Sequence, residues 1–66
     1  METKRKMEIS KNIVSSYFTD SNILKSISIK TAISMYALYS IINYNYSSIN
    51  ENTFKKLSLY LNELND

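Results

Sequence analysis

The chain contains no cysteine and no histidine, so neither a disulfide nor a zinc site can stabilise a fold of only 66 residues. A chain of this length buries about 60% of the surface that its unfolded form exposes, which leaves a thin margin of stability. Small domains compensate with disulfides, a metal, close helix packing or association with another chain. The sequence therefore predicts a single domain over residues 1–66, without metal or cofactor, that relies on helix packing, self-association or a protein partner.

Glycine and proline are also absent, so the ends of helices must be inferred from capping residues and hydrophobic periodicity. Two polar segments, residues 19–22 and 43–52, are rich in the N-cap residues Ser, Thr, Asp and Asn. In the second segment, Ser48 and Glu51 have the spacing of a capping box, and Asn50 and Asn52 are alternative caps. These breaks predict an all-α fold with helices at about 4–18, 22–43 and 51–64. The expected architecture is a small three-helix bundle, or a helical hairpin plus a helix, completed by self-association or a partner.

The first and third predicted helices each carry an apolar stripe at helical spacing. The clearest stripe, in the third helix, consists of Phe54, Leu57, Leu61 and Leu64. We expect its first three members to be core residues. The stripe of the first helix is broader and consists of Met7, Val14 and Phe18, with Ile9, Ile13 and Tyr17 beside them.

The second predicted helix, residues 22–43, is apolar around nearly its whole circumference. A helix of this kind is normally buried on all sides, but two partner helices in so short a chain cannot cover it. Some of its apolar side chains are therefore expected to be exposed, or covered by another chain. Tyrosine suits such a surface because its ring buries a large area while its hydroxyl stays hydrated. The candidate interface residues are Ile29, Ile33, Tyr36, Tyr39, Tyr44 and Tyr46.

Two other structures compete with a helix in this region. Residues 27–29 and 42–46 alternate with period two and use β-favouring residues, which is also typical of a short hairpin. Residues 31–50 carry no charge, but their apolar part, residues 32–42, has about half the length that a membrane span needs. We therefore expect no membrane partner.

The residues that carry most enzyme chemistry are missing or scattered. There is no His, no Cys and no glycine-rich loop to bind a phosphate. The acidic residues do not form a paired-carboxylate motif; they are Glu2, Glu8, Asp20, Glu51, Glu63 and Asp66. The sequence predicts a protein that is not an enzyme and has no catalytic residues. Residues 7–16 are too polar for a signal peptide, so a cytoplasmic location is expected.

Two functions are consistent with these features. The first is a small protein-interaction module, an inhibitor, adaptor or assembly subunit, which docks through the tyrosine-rich face of the second predicted helix. The alternative is a small dimeric nucleic-acid-binding regulator. If the second and third predicted helices formed a helix-turn-helix, Lys55 and Lys56 would lie on its recognition helix, but the connection over residues 43–51 is longer than the usual tight turn. The formal net charge of +2 is small for a nucleic-acid binder. The candidate nucleic-acid contacts are Lys4, Arg5, Lys6, Lys55 and Lys56.

Overall fold

A computed structural model of the chain describes the backbone of residues 1–65 and the side chains of residues 1–63. The described residues form four α-helices and no strand, which confirms the all-α prediction. The helices are α1 (Thr3–Thr19), α2 (Ile23–Thr31), α3 (Met35–Ile42) and α4 (Glu51–Asn65). The chain leaves the helical conformation at residues 20–22 and 43–50, within the predicted polar segments 19–22 and 43–52. The prediction of three helices is wrong, because residues 22–43 form two helices.

The division between α2 and α3 occurs at Ala32, which adopts a left-handed conformation with φ of 60°. The Ala32 amide donates to the Ser28 carbonyl at 2.9 Å, the bond that closes a helix at a left-handed cap. Two hydroxyls hold the turn. Ser28 Oγ donates to the Ile33 carbonyl and Thr31 Oγ1 to the Ile27 carbonyl, both at 2.6 Å. Glycine usually occupies this cap position, so its absence conceals the break in the sequence.

The break explains why the predicted helix looked apolar all round. Two short helices, rather than one long one, each direct a different set of apolar side chains into a common core. The buried residues are Leu24 and Ile27 on α2, Leu38 and Ile41 on α3, and Ile33 between them. The expectation that part of this segment is exposed holds for Ile29, Tyr36 and Tyr39, but not for Ile33.

Replacing Ala32 by glycine is expected to stabilise the protein by about 0.5–1 kcal/mol. Glycine adopts positive φ without the steric cost that a Cβ atom imposes, and the Ala32 side chain is exposed, so little packing is lost. Urea unfolding measures the change. As a control, Ala37→Gly within α3 should destabilise the protein by about 1 kcal/mol. Equal effects of the two substitutions would contradict the left-handed cap.

The helices α1 and α2 form the centre of the fold, since each packs against the other and against both α3 and α4. The buried hydrophobic residues are Ile9, Ile13, Leu24, Ile27, Ile33, Leu38, Ile41, Phe54 and Leu57. Phe54 and Leu57 are fully buried, as predicted, while Leu61 is half-buried against the core. The side chain of Leu64, which completes the predicted stripe, lies outside the described residues.

Only one side of the broad stripe predicted for α1 reaches the core. Ile9 and Ile13 are buried, and Tyr17 packs against them from the edge. Met7 and Phe18 are exposed. The four-helix arrangement leaves the outer face of α1 uncovered by the described residues, so its apolar stripe is only partly buried.

The segment between α3 and α4 is fastened to the core by Tyr46. Its ring packs edge-on against Phe54, with ring centroids 5.3 Å apart, and its hydroxyl hydrogen-bonds with that of the buried Ser10. At the end of the segment, Asn50 Oδ1 accepts the Thr53 amide at 2.9 Å and caps α4. The capping box predicted from Ser48 is therefore wrong, because the alternative cap is used.

Candidate functional site

Three exposed tyrosines lie on α3 and on the first turn after it. Tyr36 is 73% exposed, and Tyr39 lies one turn further along the same side of the helix. Tyr44 follows the helix and is also exposed. We call Tyr36, Tyr39 and Tyr44 the tyrosine face. All three belong to the interface predicted from the sequence, as does Ile29 on α2, which is 74% exposed.

Tyr44 occupies a position that normally favours glycine. Its φ of 60° places it in the left-handed region, which is a marked outlier for a bulky residue. The Asn45 amide donates to the Ser40 carbonyl at 2.9 Å and the Tyr44 amide to the Ile41 carbonyl at 3.0 Å. These two bonds form a Schellman motif, whose left-handed residue is usually Gly and sometimes Asn. A tyrosine here costs conformational energy, and strained residues of this kind cluster at functional sites.

The other two predicted interface residues have structural roles. Ile33 is only 5% exposed and belongs to the hydrophobic core. Tyr46 is half-buried between Phe54 and Ser10, where its ring and its hydroxyl both have partners. The prediction for Ile33 assumes one helix over residues 22–43 with an exposed face, and the prediction for Tyr46 rests on the clustering of tyrosines. The turn at Ala32 and the loop after α3 direct these two side chains inward instead.

The tyrosine face lies in a chain segment without formal charge, because residues 31–50 contain no Lys, Arg, Asp or Glu. The exposed lysines belong to the other three helices. They are Lys4 and Lys11 on α1, Lys25 and Lys30 on α2, and Lys55 and Lys56 on α4. The three tyrosines thus belong to the uncharged part of the chain, and the exposed lysines to the other helices.

Two of the predicted nucleic-acid contacts are engaged within the chain. Arg5 pairs with Glu8 at 3.2 Å and donates to Ser58 Oγ. Lys6 pairs with Glu51 at 3.1 Å, and its ammonium lies 5.0 Å from the centre of the Phe54 ring. These contacts join α1 to α4. Lys4, Lys55 and Lys56 remain exposed.

The long connection over residues 43–50 argues against a helix-turn-helix, and α3 and α4 do not form one among the described residues. The two helices of such a motif should pack against each other, but α3 and α4 have no Cα atoms within 8 Å of one another among the described residues. α4 packs against α1 and α2 instead. The long connection over residues 43–50 therefore joins two helices on different sides of the core.

Glu51 connects the start of α4 to α1 through two cations. The Met1 ammonium lies 2.6 Å from one carboxylate oxygen, and Lys6 Nζ lies 3.1 Å from the other. Hydrogen bonds from the Met1 ammonium, and then from Lys6, hold the pKa of Glu51 below its usual range. The first turn of a helix also favours a negative charge.

Lowering the pH is expected to reduce the stability of the parent protein, because Glu51 loses its negative charge. A carboxylate whose pKa is lowered by folding stabilises the fold above its unfolded pKa of about 4.5, and that contribution disappears as the pH falls through the folded value. Glu51→Gln should therefore melt at a lower temperature than the parent at neutral pH, and the difference should vanish in acid. A difference that persists well below the ordinary carboxyl pKa would contradict the ion pairs. Thermal unfolding at several pH values provides the measurement.

A concave surface lies between the end of α2 and the outer side of α4. It is an open cleft of about 360 Å³, lined by Lys30, Thr31, Lys56, Leu59, Tyr60 and Glu63. Two lysines and one glutamate share the lining with apolar groups, so the cleft has no single ligand chemistry. Among the described residues, no three acidic side chains come together to hold a metal ion.

Comparison of the chain with protein-family models, curated proteins and solved structures finds no match. Within residues 1–65, none of the four helices has both the length and the apolar character that crossing a bilayer requires. The tyrosine face combines three exposed tyrosines with a left-handed backbone conformation at Tyr44, and both features are typical of a binding surface.

Proposed function

We propose that this protein is a small, non-enzymatic interaction module that associates with a second copy of itself through the tyrosine face. The observation that supports this proposal is the grouping of three exposed tyrosines on α3 and its C-terminal turn. In that assembled form it serves as an assembly subunit or adaptor.

The tyrosines are suited to a protein interface. Each ring removes a large apolar area from water when it is covered, and its hydroxyl can keep a polar contact at the rim. Leaving a large apolar side chain in water forgoes roughly 1.5–3 kcal/mol of burial energy, which is considerable in so small a domain. The strained backbone of Tyr44 adds to this argument, since a glycine there would be easier to accommodate but would remove a tyrosine from the surface.

The charge distribution favours a second copy as the partner. A two-fold symmetric interface places the same surface patch of both chains face to face. In a pairing through the tyrosine face, α3 and the segments that flank it contribute no charge, because residues 31–50 are uncharged. Pairing through α1, α2 or α4 would place exposed lysines of one copy near those of the other.

The size of the tyrosine face favours a dimer of moderate affinity. A standard stable interface covers about 800 Å² on each partner, whereas the whole chain exposes 4464 Å². An eight-residue helix with its flanking turn provides less than that area. We therefore expect dissociation constants in the micromolar range, and we expect association to persist in high salt because the contact is apolar.

Dilution of a nitrogen-15-labelled sample, followed by amide NMR spectra, tests the proposal. We expect concentration-dependent shifts over residues 35–46, with the amides of α1 and α4 serving as internal controls. Shifts that are absent, or that map to α1 or α4, would contradict association through the tyrosine face. A nucleic-acid role has weaker support, because Arg5 and Lys6 are already paired within the chain.

A further inference from the structure

The outer face of α1 combines apolar and basic side chains in one narrow stripe. Its members are Lys4, Met7, Lys11, Val14 and Phe18. At 100° per residue they fall within about 80° of the helix circumference and extend for about 21 Å along the axis. We call these five residues the basic–apolar stripe. It lies away from the side of α1 that carries the core residues Ile9 and Ile13.

The apolar part of this stripe is accessible. Phe18 is 83% exposed and Met7 is 41% exposed, while Val14 is half-buried. An exposed phenylalanine has no polar group to hydrate, and aromatic side chains are frequent anchors at protein interfaces. Methionine adapts its shape to different partners, which also suits a binding surface.

The basic part of the stripe has no partner within the described residues. Lys4 and Lys11 form no ion pair there, whereas the nearby Arg5 and Lys6 are paired with Glu8 and Glu51. Glu8 is the acidic residue of α1 closest to the stripe, and its carboxylate is paired with Arg5. The stripe therefore presents two positive charges beside three apolar side chains.

From this geometry we infer that the basic–apolar stripe binds an acidic amphipathic helix of another protein. Apolar residues of that helix would pack on Phe18 and Met7, and its carboxylates would meet Lys4 and Lys11. A second copy of this chain does not fit, because pairing two stripes would bring four lysines into one contact without a carboxylate from either stripe. This surface is distinct from the tyrosine face, so a dimer could carry two such sites.

An anionic membrane surface has less support than an acidic helix. Interfacial helices insert a large apolar face between lipid headgroups. In α1 most of the apolar side chains, including Ile9 and Ile13, are committed to the core. Three apolar residues flanked by two lysines provide little area for insertion.

Selection from a random library of helical peptides, with the whole protein as bait, tests this inference. We expect the selected peptides to be acidic and amphipathic, and their binding to weaken steeply with salt. Phe18→Ser and Lys11→Glu should each weaken that binding by roughly tenfold or more. Leu59→Ser is the matched control, because Leu59 is also exposed but lies on α4. The Leu59→Ser variant should bind the selected peptides as tightly as the parent protein does.

Three outcomes would overturn the inference. They are a library that yields no binder, peptides without an acidic bias, and peptides whose binding survives both substitutions on α1. Phe18→Ser and Lys11→Glu change exposed side chains, so we expect both variants to fold. Circular dichroism spectra and melting temperatures equal to those of the parent protein will verify this. Vesicles of phosphatidylcholine and phosphatidylglycerol in equal parts form a separate arm. Binding to them through Phe18, without selection of acidic peptides, would assign the stripe to a membrane surface instead.

Discussion

Replacing Leu57 by alanine is expected to unfold the protein, or to leave it barely folded at room temperature. Leu57 is fully buried in the core. Truncating such a leucine costs about 2–5 kcal/mol, through lost burial and the cavity that remains. A domain of this size has only about 3–5 kcal/mol in total. The loss should appear as a collapse of the helical circular dichroism signal, or as a large drop in melting temperature.

The matched control for this substitution is Leu59→Ala, two residues further along α4. Leu59 is 64% exposed, so the same chemical change removes little buried surface. We expect its melting temperature to stay close to that of the parent protein. A Leu57→Ala variant that melts like the parent would show that α4 is not packed on the core as described.

Tyr36→Glu should strongly weaken dimer formation while leaving the monomer folded. The substitution places a charge on the tyrosine face of both copies, so the interface would have to bury two like charges. The fold itself should tolerate it, since Tyr36 is largely exposed and lies in the first turn of α3, where a negative charge is favourable. Light scattering should show a dissociation constant raised by tenfold or more.

Leu59→Glu is the control for Tyr36→Glu, because it places the same charge on an exposed apolar position of α4. We expect it to associate like the parent. If Leu59→Glu disrupts the dimer and Tyr36→Glu does not, the interface lies on α4. Loss of association in both variants would point to a non-specific effect of charge.

Much of the fold follows from hydrophobic periodicity and capping residues. The stripe of α4 places Phe54 and Leu57 in the core because its spacing has the helical period over several turns. The breaks at 19–22 and 43–50 follow from clusters of residues whose side chains bond to the backbone. At the first, Asp20 Oδ1 accepts the Asn22 amide, and at the second Asn50 caps α4.

The break between α2 and α3 could not be predicted in the same way. It depends on a left-handed alanine and on the hydroxyls of Ser28 and Thr31, and none of these residue types identifies a helix end. Serine and threonine often bond to the preceding helical turn without ending the helix. Only the competition among core contacts determines that the chain turns here.

The candidate surfaces were predictable only in part. Sequence reasoning identified Tyr36 and Tyr39 because a helix that is apolar on all sides must expose some residues, and Tyr44 because it belongs to the same cluster of tyrosines. It could not separate them from Tyr46, since the partners of that tyrosine, Ser10 and Phe54, are distant in the sequence. The exposure of Phe18 could not be predicted for a related reason, because an apolar stripe does not reveal how many other helices pack against it.

Sedimentation equilibrium across the micromolar concentration range tests the central claim most directly. The account predicts that the average mass rises with concentration from 7.7 kDa for one chain toward twice that value. It also predicts that this rise persists in high salt, because the tyrosine face is uncharged. A mass that stays at 7.7 kDa throughout the range would contradict self-association through the tyrosine face.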